Sequence, residues 1–425
     1  MALLSIFFLI AAIVLAFLRK NNIGILAMAI GVIAVRIFGL TDKDLYEGIN
    51  VSLFTTLVGI TLLFSIVTNT GALDLMAKKI VALAGKRIWS LPILIAIVGF
   101  VITAIGPGGV PVLAIIPPLA VSIAIQVGYN PLMMALIGIT GMLSGRFSPL
   151  TPEGAVIINA AKESGFVGSV NPAIMLNTFL TSVINCIVIF IIFKGYKVKA
   201  PEHLVENMVT EKFSRKQLIA LGGVVLMLFL IIFVRVNIGL AALFVSAILL
   251  LLHVADDNVC IKAMPWNTII MVLCVGALLK IVDKMGGISL MTDALAVIMN
   301  SKTATPFIGL SAGLLSLVSS ALSVVYPTMM PMCANLAQQM SGVHTVALMS
   351  AVAAGGALAG TSPMSTGGAV IMGVLGSELK DKYTKEYQNK VFVQLLMVSA
   401  VNLLVLIICS MIFYNPIANI LCPID

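Results

Sequence analysis

Charged side chains are scarce in this chain. Asp, Glu, Lys and Arg together supply 10% of its 425 residues, whereas a soluble domain carries about 25%. Hydrophobic residues supply 60% of the chain. This composition leaves too little polar surface to cover a globule in water, so it excludes a set of soluble domains and predicts an all-α polytopic membrane protein.

Cysteine and histidine are also few. The six cysteines are scattered without a CxxC pair, and the three histidines are equally dispersed. We therefore expect no disulfide framework, no metal site and no cofactor beyond a coupling ion. The chain lacks an HExxH motif, a P-loop and a pair of intramembrane aspartates, so no enzyme is predicted. The net charge of +8 comes from short Lys and Arg clusters between apolar runs, which favours a lipid bilayer over nucleic acid as the partner.

One long apolar stretch, residues 88–127, is broken near its middle by Gly106-Pro107-Gly108-Gly109. It forms either two full spans or one re-entrant hairpin. Each arm has only about 16–18 residues and the tip carries no charge, so we favour the hairpin. Non-helical backbone at membrane depth is stable only inside protein or against a wet cavity.

An internal repeat is the strongest signal in the sequence, because the second half matches the first at an offset of 214–215 residues. Asn22-Ile23-Gly24 matches Asn237-Ile238-Gly239, and residues 148–157 match residues 362–371 at six of ten positions without a gap. The predicted units are repeat 1 (1–195, with hairpin 88–127 and broken helix 131–163), a cytoplasmic linker (196–215) and repeat 2 (216–425, with hairpin 304–340 and broken helix 345–376).

Five crossings per repeat, with the hairpins counted as re-entrant, place the two halves in opposite orientations. Under this topology 17 Lys and Arg residues lie on one side and six on the other. The positive-inside rule makes the rich side cytoplasmic and places both termini outside. We expect a multi-pass protein of a bacterial-type inner (plasma) membrane.

Four breaks in the helices predict where the chemistry lies: two hairpin tips and two interrupted helices. In inverted-repeat transporters such breaks meet near the midplane, where helix N-termini bind anionic oxygens and helix C-termini suit Na⁺. The interruptions are 144–154 and 360–368, and the second tip falls at 319–323. Hydroxyl groups available at the two interruptions belong to Ser148, Thr151, Thr361, Ser362, Ser365 and Thr366.

Arg146 is the most informative single residue, because a cation at membrane depth is costly unless it faces protein, water or an anion. One interpretation makes it the counter-charge of a carboxylate substrate, since guanidinium binds carboxylate in a bidentate manner. The other makes it the neutralising partner of Glu153 in the same break, and the two are not exclusive. Glu153 is also a candidate site for a coupling proton or cation.

The arrangement resembles the ion transporter superfamily, which includes the divalent-anion/sodium symporters. Within it, the run Gly145–Gly154 looks most like that of the MatC-type dicarboxylate carriers. The resemblance implies an elevator-type homodimer, with sodium between each tip and its neighbouring break and a dicarboxylate between the tips. The symporters carry Ser-Asn-Thr at each tip, whereas this chain has glycines at the first tip and serines without an asparagine at the second. Sodium coupling is therefore open, and protons are the alternative.

We accordingly predict a secondary active transporter of a C3–C4 dicarboxylate such as malonate or succinate. Substrate ligands are predicted at Gly108, Gly109, Arg146, Ser148, Thr151, Ser319, Ser320, Ser323, Ser362, Ser365 and Thr366. Cation-coupling positions are predicted at Gly106, Ser144, Glu153 and Thr361. The alternatives are the membrane subunit of a binding-protein-dependent carrier, a cation/proton antiporter using Glu153 and Asp283, and, last, a membrane enzyme.

Overall fold

The computed structural model describes residues 1–19, 21–82, 87–166, 168–197, 211–318 and 321–423. Across these ranges the secondary structure is helical and contains no β-strand. Seven helical stretches are long and apolar enough to cross a membrane, and seven shorter apolar helices accompany them. The predicted class, an all-α polytopic membrane protein, is confirmed.

Each half contributes a similar series of helices. The first half has α1 (Ala2–Arg19), α2 (Ile23–Ile37), α3 (Asp42–Glu47), α4 (Val51–Asn69), α5 (Ala72–Ala82), α6 (Leu91–Ala104), α7 (Gly109–Val112), α8 (Ile116–Val127), α9 (Pro131–Gly145), α10 (Pro152–Glu163) and α11 (Asn171–Ile192). The second half has α12 (Arg215–Ile232), α13 (Ile238–Leu251), α14 (Asp257–Ala263), α15 (Trp266–Lys284), α16 (Gly287–Ile298), α17 (Ala304–Val318), α18 (Tyr326–Gln339), α19 (Thr345–Leu358), α20 (Thr366–Leu379), α21 (Lys385–Cys409) and α22 (Asn415–Leu421). A π-helical turn, Ala321–Val325, precedes α18, and another, Ser410–Tyr414, links α21 to α22.

Most corresponding helices of the two halves begin 213–215 residues apart, for example α2 and α13 or α11 and α21, while the return arms α8 and α18 begin 210 residues apart. The hydrogen bonds that cap the helix N-termini also repeat. Asn22 caps α2 by accepting a hydrogen bond from the Gly24 amide, and Asn237 caps α13 by accepting one from the Gly239 amide. The sequence repeat is thus also a repeat of elements and of their end-capping interactions.

Helices of each half pack against helices of the other half. α2 packs against α15 of the other half, and α13 packs against α4. Both contacts need glycine, since a Cβ on Gly24 would lie 2.7 Å from the Met271 Cα and one on Gly239 would lie 2.5 Å from the Thr56 Cα. Reciprocal pairing of this kind is what a two-fold relation between the halves produces. The orientation of each half in the bilayer, and with it the inverted repeat and the position of the termini, stays a prediction.

Each helix that the prolines predict to be interrupted is interrupted. α9 ends at Gly145 and α10 begins at Pro152, while α19 ends at Leu358, passes through a 3₁₀ turn and resumes as α20 at Thr366. The arms of the first hairpin segment, α6 and α8, pack against α9. The arms of the second, α17 and α18, pack against α19 in the same way. The first tip, Gly106–Gly109, and the described residues Ala321 and Leu322 are thereby held beside the helix breaks, and this positions the site.

Candidate functional site

The first break is built by hydroxyl groups. The Thr151 hydroxyl donates to the carbonyl oxygens of Arg146 and Ser148, and its oxygen accepts from the Gly154 amide at 3.0 Å. The Ser148 oxygen accepts from the Leu150 amide at 3.4 Å. Threonine at this position therefore closes the end of α9 and caps the start of α10 at once.

The second break repeats the loop bonds but not the capping bond, since Ser365 lies at the N-cap position of α20 without a side-chain capping hydrogen bond. The Ser365 hydroxyl donates to the carbonyl oxygens of Gly360 and Ser362, and the Ser362 oxygen accepts from the Met364 amide at 3.3 Å. Glycine is required three residues after the N-cap residue in both breaks. A Cβ on Gly154 would collide with the Ser148 carbonyl oxygen, and one on Gly368 would collide with that of Ser362.

These contacts give a structural role to four residues that the sequence predicts as substrate ligands. The hydroxyls of Ser148, Thr151, Ser362 and Ser365 already bond to backbone atoms of their own loops. Each oxygen has a second lone pair, so a ligand role for them stays a prediction, but their loop role explains the repeated Ser-Pro motif by itself.

An ion pair joins the first break to the first hairpin tip. Glu153 Oε1 accepts from the Gly109 amide at 2.9 Å and lies 3.3 Å from Arg146 Nε. The Glu153 side chain is 2% exposed and that of Arg146 is 19% exposed. Of the two interpretations of Arg146, pairing with Glu153 is therefore observed. The guanidinium Nη groups hydrogen-bond to none of the described residues, so the substrate role stays open beside it.

Glycine at this tip is a steric requirement. Gly108 has φ +75°, and a Cβ there would collide with Glu153 Oε2 and lie 2.9 Å from the Pro152 Cδ. A Cβ on Gly109 would lie 2.7 Å from Arg146 Nε. Gly106, at φ +141°, instead lies against the Phe64 ring. The glycine-rich tip thus allows backbone to reach the buried pair.

A central cavity of about 110 Å³ lies between the breaks and the tips. Water occupies about 30 Å³ per molecule in the liquid, so this volume corresponds to about four waters. Among the described residues Arg146 is the only charged one in its lining. The predicted site residues that line it are Gly109, Arg146, Thr361, Ser365 and Thr366, joined by the hydroxyl-bearing residues Thr140, Thr268 and Ser316.

The other predicted positions lie elsewhere or outside the described part of the chain. Glu153 lines an adjoining space of about 20 Å³ with Pro107 and Pro152. The Ser144 hydroxyl donates to the Met175 carbonyl at 2.7 Å. Ser319, Ser320 and the side chain of Ser323 fall outside what the structure describes, so the side chains predicted at the second tip stay predictions.

Sequence reasoning missed an oxygen cluster at the second break. The fully buried Asn402 amide donates to the Thr361 hydroxyl oxygen at 3.2 Å, and the Ser399 oxygen lies 3.1 Å from the same atom. Thr361 and Ser399 donate to backbone carbonyls of their own helices at 2.9 Å. Asn402 Oδ1 is buried and has no hydrogen-bond partner among the described residues. The available signal was two polar residues three apart in the apolar C-terminal part of α21, after Gln394, which places them on one helix face.

A larger cavity of about 370 Å³ opens elsewhere in the fold, between α4 and α15 on one side and α10 and α18 on the other. Lys280 and Asp283 lie in its wall. Their i, i+3 spacing on α15 predicts an ion pair, but they form none in the described structure. The polar residues of its lining are Glu47, Asn50, Asn159, Glu163, Ser164, Lys280, Asp283 and Asn335.

Comparison with known proteins places this geometry in context. No curated protein matches the chain. The YdaH transporter of Alcanivorax borkumensis has a similar structure (TM-score 0.62, 13% identity, 92% of this chain and 90% of that chain covered). So does MtrF of Neisseria gonorrhoeae, which belongs to a class of antimetabolite efflux pumps (TM-score 0.56, 12% identity, 89% and 84% covered). At these identities the likeness shows the fold alone.

The sequence itself carries the family assignment. A family model described as a citrate transporter matches residues 13–355, which is most of the chain and includes both tips and the first break. Together with the apolar helices, this match makes the protein a multi-pass membrane transporter rather than an enzyme. The chain belongs to the citrate transporter family.

Proposed function

We propose that this protein is a secondary active transporter of a small polycarboxylate, driven by Na⁺ or H⁺, which binds its substrate in the central cavity. The observation that carries the proposal is the position of Arg146. Its side chain is the single charged group in the cavity lining among the described residues. A guanidinium whose Nη groups bond to none of the described residues, beside a cavity with several hydroxyl groups in its wall, is suited to a carboxylate.

The substrate class rests on this charge and on the family. We predict a C3–C4 dicarboxylate such as malonate or succinate, in keeping with the MatC-like motif, and the family adds citrate as a third candidate. Ligand pockets usually measure about 300–1,000 Å³, whereas the central cavity measures about 110 Å³. The central cavity is therefore small for a ligand pocket, which favours a small acid over a drug-sized ligand.

Two places support cation coupling. The second break offers neutral oxygens from Thr361, Ser399 and the unpartnered Asn402, which suit Na⁺ because both hydroxyl protons point to backbone carbonyls. The first break offers the Glu153 carboxylate for a proton. Cation coupling at Gly106 and Ser144 has less support, since Gly106 packs on a ring and the Ser144 hydroxyl is bonded to backbone.

Alternating access by movement of the hairpin segments follows from the internal repeat, because two similar halves can exchange conformations during transport. An elevator-type homodimer, which the superfamily resemblance implies, belongs to the same proposal.

Uptake into proteoliposomes tests the proposal. Labelled citrate, malonate and succinate should each be offered with an inward Na⁺ gradient, with an inward proton gradient and with neither, and protein-free liposomes serve as the control. Gradient-dependent accumulation of at least one acid is expected. Activity only after addition of a partner membrane protein would favour the binding-protein-dependent carrier, and pH-dependent cation exchange without any acid would favour the antiporter.

A further inference from the structure

The Glu153 carboxylate occupies two donors of the proposed substrate site. Its Oε1 atom accepts from the Gly109 amide at 2.9 Å and from Arg146 Nε at 3.3 Å. Both donors belong to residues that line the central cavity, while Glu153 itself lies just behind them in the adjoining 20 Å³ space. A backbone amide and a guanidinium together are the donors that bind a carboxylate group of a ligand.

The fold does not need an acid at this position. The repeat equivalent of Glu153 is Gly367 and that of Arg146 is Gly360, 214 residues later. The second break nevertheless has a hydroxyl residue, Ser365, at the same N-cap position, and this hydroxyl bonds to the loop carbonyls as in the first break, although it forms no capping bond. Glu153 and Arg146 are thus present in the first break alone, and the formation of the loop does not explain either residue.

We propose that Glu153 acts as an internal substitute for a substrate carboxylate in the empty transporter. Substrate binding displaces it from the Gly109 amide and from Arg146, and Glu153 takes up one proton from solution as it leaves. This inference rests on the proposed function, because it requires a carboxylate substrate at Arg146.

The need for a proton follows from the charges that face Glu153. Arg146 contacts it from the first break, and Tyr326 of α18 lies within electrostatic range of both. The Tyr326 hydroxyl is neutral and donates to the Ala353 carbonyl at 3.1 Å. The tip contributes no charged group, and no other charged residue of the described structure lines either cavity. A displaced carboxylate would be a buried charge without a partner, which is strongly unfavourable, whereas the protonated acid is neutral.

Binding measurements on the purified full-length protein test this inference. Succinate binding should be followed by calorimetry between pH 7 and pH 9, where succinate is fully ionised and does not titrate. Uptake of one proton makes the wild-type Kd increase by about tenfold per pH unit. Glu153→Gln should bind succinate with a Kd independent of pH and at least as low as that of the wild type at pH 7. Glu163→Gln, in the exposed last turn of the same helix, is the matched control and should keep the wild-type slope.

The wild-type protein provides a second readout that needs no variant. Binding heats in two buffers of different ionisation enthalpy give the number of protons taken up per succinate, and a value near one is expected. A value of zero, or a wild-type slope in Glu153→Gln, would overturn the role of Glu153 and leave the proposed function standing. Failure of the wild type to bind succinate, malonate or citrate at any pH would instead overturn the proposed function.

Discussion

Replacing Arg146 by alanine separates the structural role of this residue from its proposed role in transport. At 3.3 Å, the attraction between the guanidinium and the Glu153 carboxylate is about 5 kcal/mol at an effective dielectric constant of 20. Part of this attraction is offset by the desolvation of both groups. Removing one partner of a buried pair costs about 3–5 kcal/mol, because the other charge stays buried alone. Arg146→Ala should therefore reduce stability by about that amount.

Thermal unfolding in a lipid–detergent mixture measures this effect. An unfolding entropy of about 2.1 cal/mol/K per residue over the 425 residues converts 3–5 kcal/mol into a Tm decrease of about 3–6 °C. The double variant Arg146→Ala/Glu153→Gln lacks the unpaired charge and should recover at least half of this decrease. Arg36→Ala is the matched control, since it breaks a pair whose side chains are 58% and 51% exposed, and its Tm should scarcely change.

Uptake then distinguishes the two roles. Both Arg146 variants should be inactive in proteoliposomes even where the double variant is stable, because the counter-charge for the substrate is missing from each. Wild-type uptake by Arg146→Ala would remove Arg146 from the site. Recovery of uptake in the double variant alone would show that Arg146 serves only to neutralise Glu153.

Three further substitutions test other parts of the reasoning. Gly154→Ala directs a Cβ at the Ser148 carbonyl oxygen and should cost about 1–3 kcal/mol in thermal unfolding; Gly373→Ala, whose Cβ meets nothing within 4 Å, is the control and should be neutral or slightly stabilising. Asn402→Leu should change stability by no more than about 1 kcal/mol, because the amide oxygen is already unpartnered, and should abolish Na⁺ stimulation of uptake; persistence of that stimulation would exclude the second break as a coupling site. The Lys284 ammonium and the Thr41 donors hold the pKa of Asp44 well below its usual range. The stabilisation from this carboxylate is therefore present above about pH 3.9 and is lost as the pH falls further. The wild-type Tm should accordingly fall more than that of Asp44→Asn between pH 5 and pH 3, and equal decreases would refute this account.

The sequence alone predicted the membrane class, the two interrupted helices and their repetition. These features follow from local physical rules, and such rules can be read from the composition and spacing of the residues. Ten per cent charged residues cannot cover a soluble surface, and two prolines within a few residues cannot continue a helix. The match between residues 148–157 and 362–371 likewise reflects one loop built twice, because each copy uses a hydroxyl that bonds to loop carbonyls and a glycine three residues later.

Only the tertiary structure decided which of the predicted site residues line the central cavity and which stabilise the loops of the helix breaks. Thr151 and Ser365 occupy the same N-cap position and both bond to carbonyls of their own loops, yet Ser365 lines the central cavity and Thr151 does not. Asn402 reaches Thr361 across 41 residues of chain, and Glu153 meets the Gly109 amide across 44. A spacing pattern specifies which residues share a helix face, but it carries no distance between separate helices. Those distances depend on how the hairpins pack against the breaks, which is why the pairing of Arg146 with Glu153 was one of two possibilities in the sequence and a direct contact in the fold.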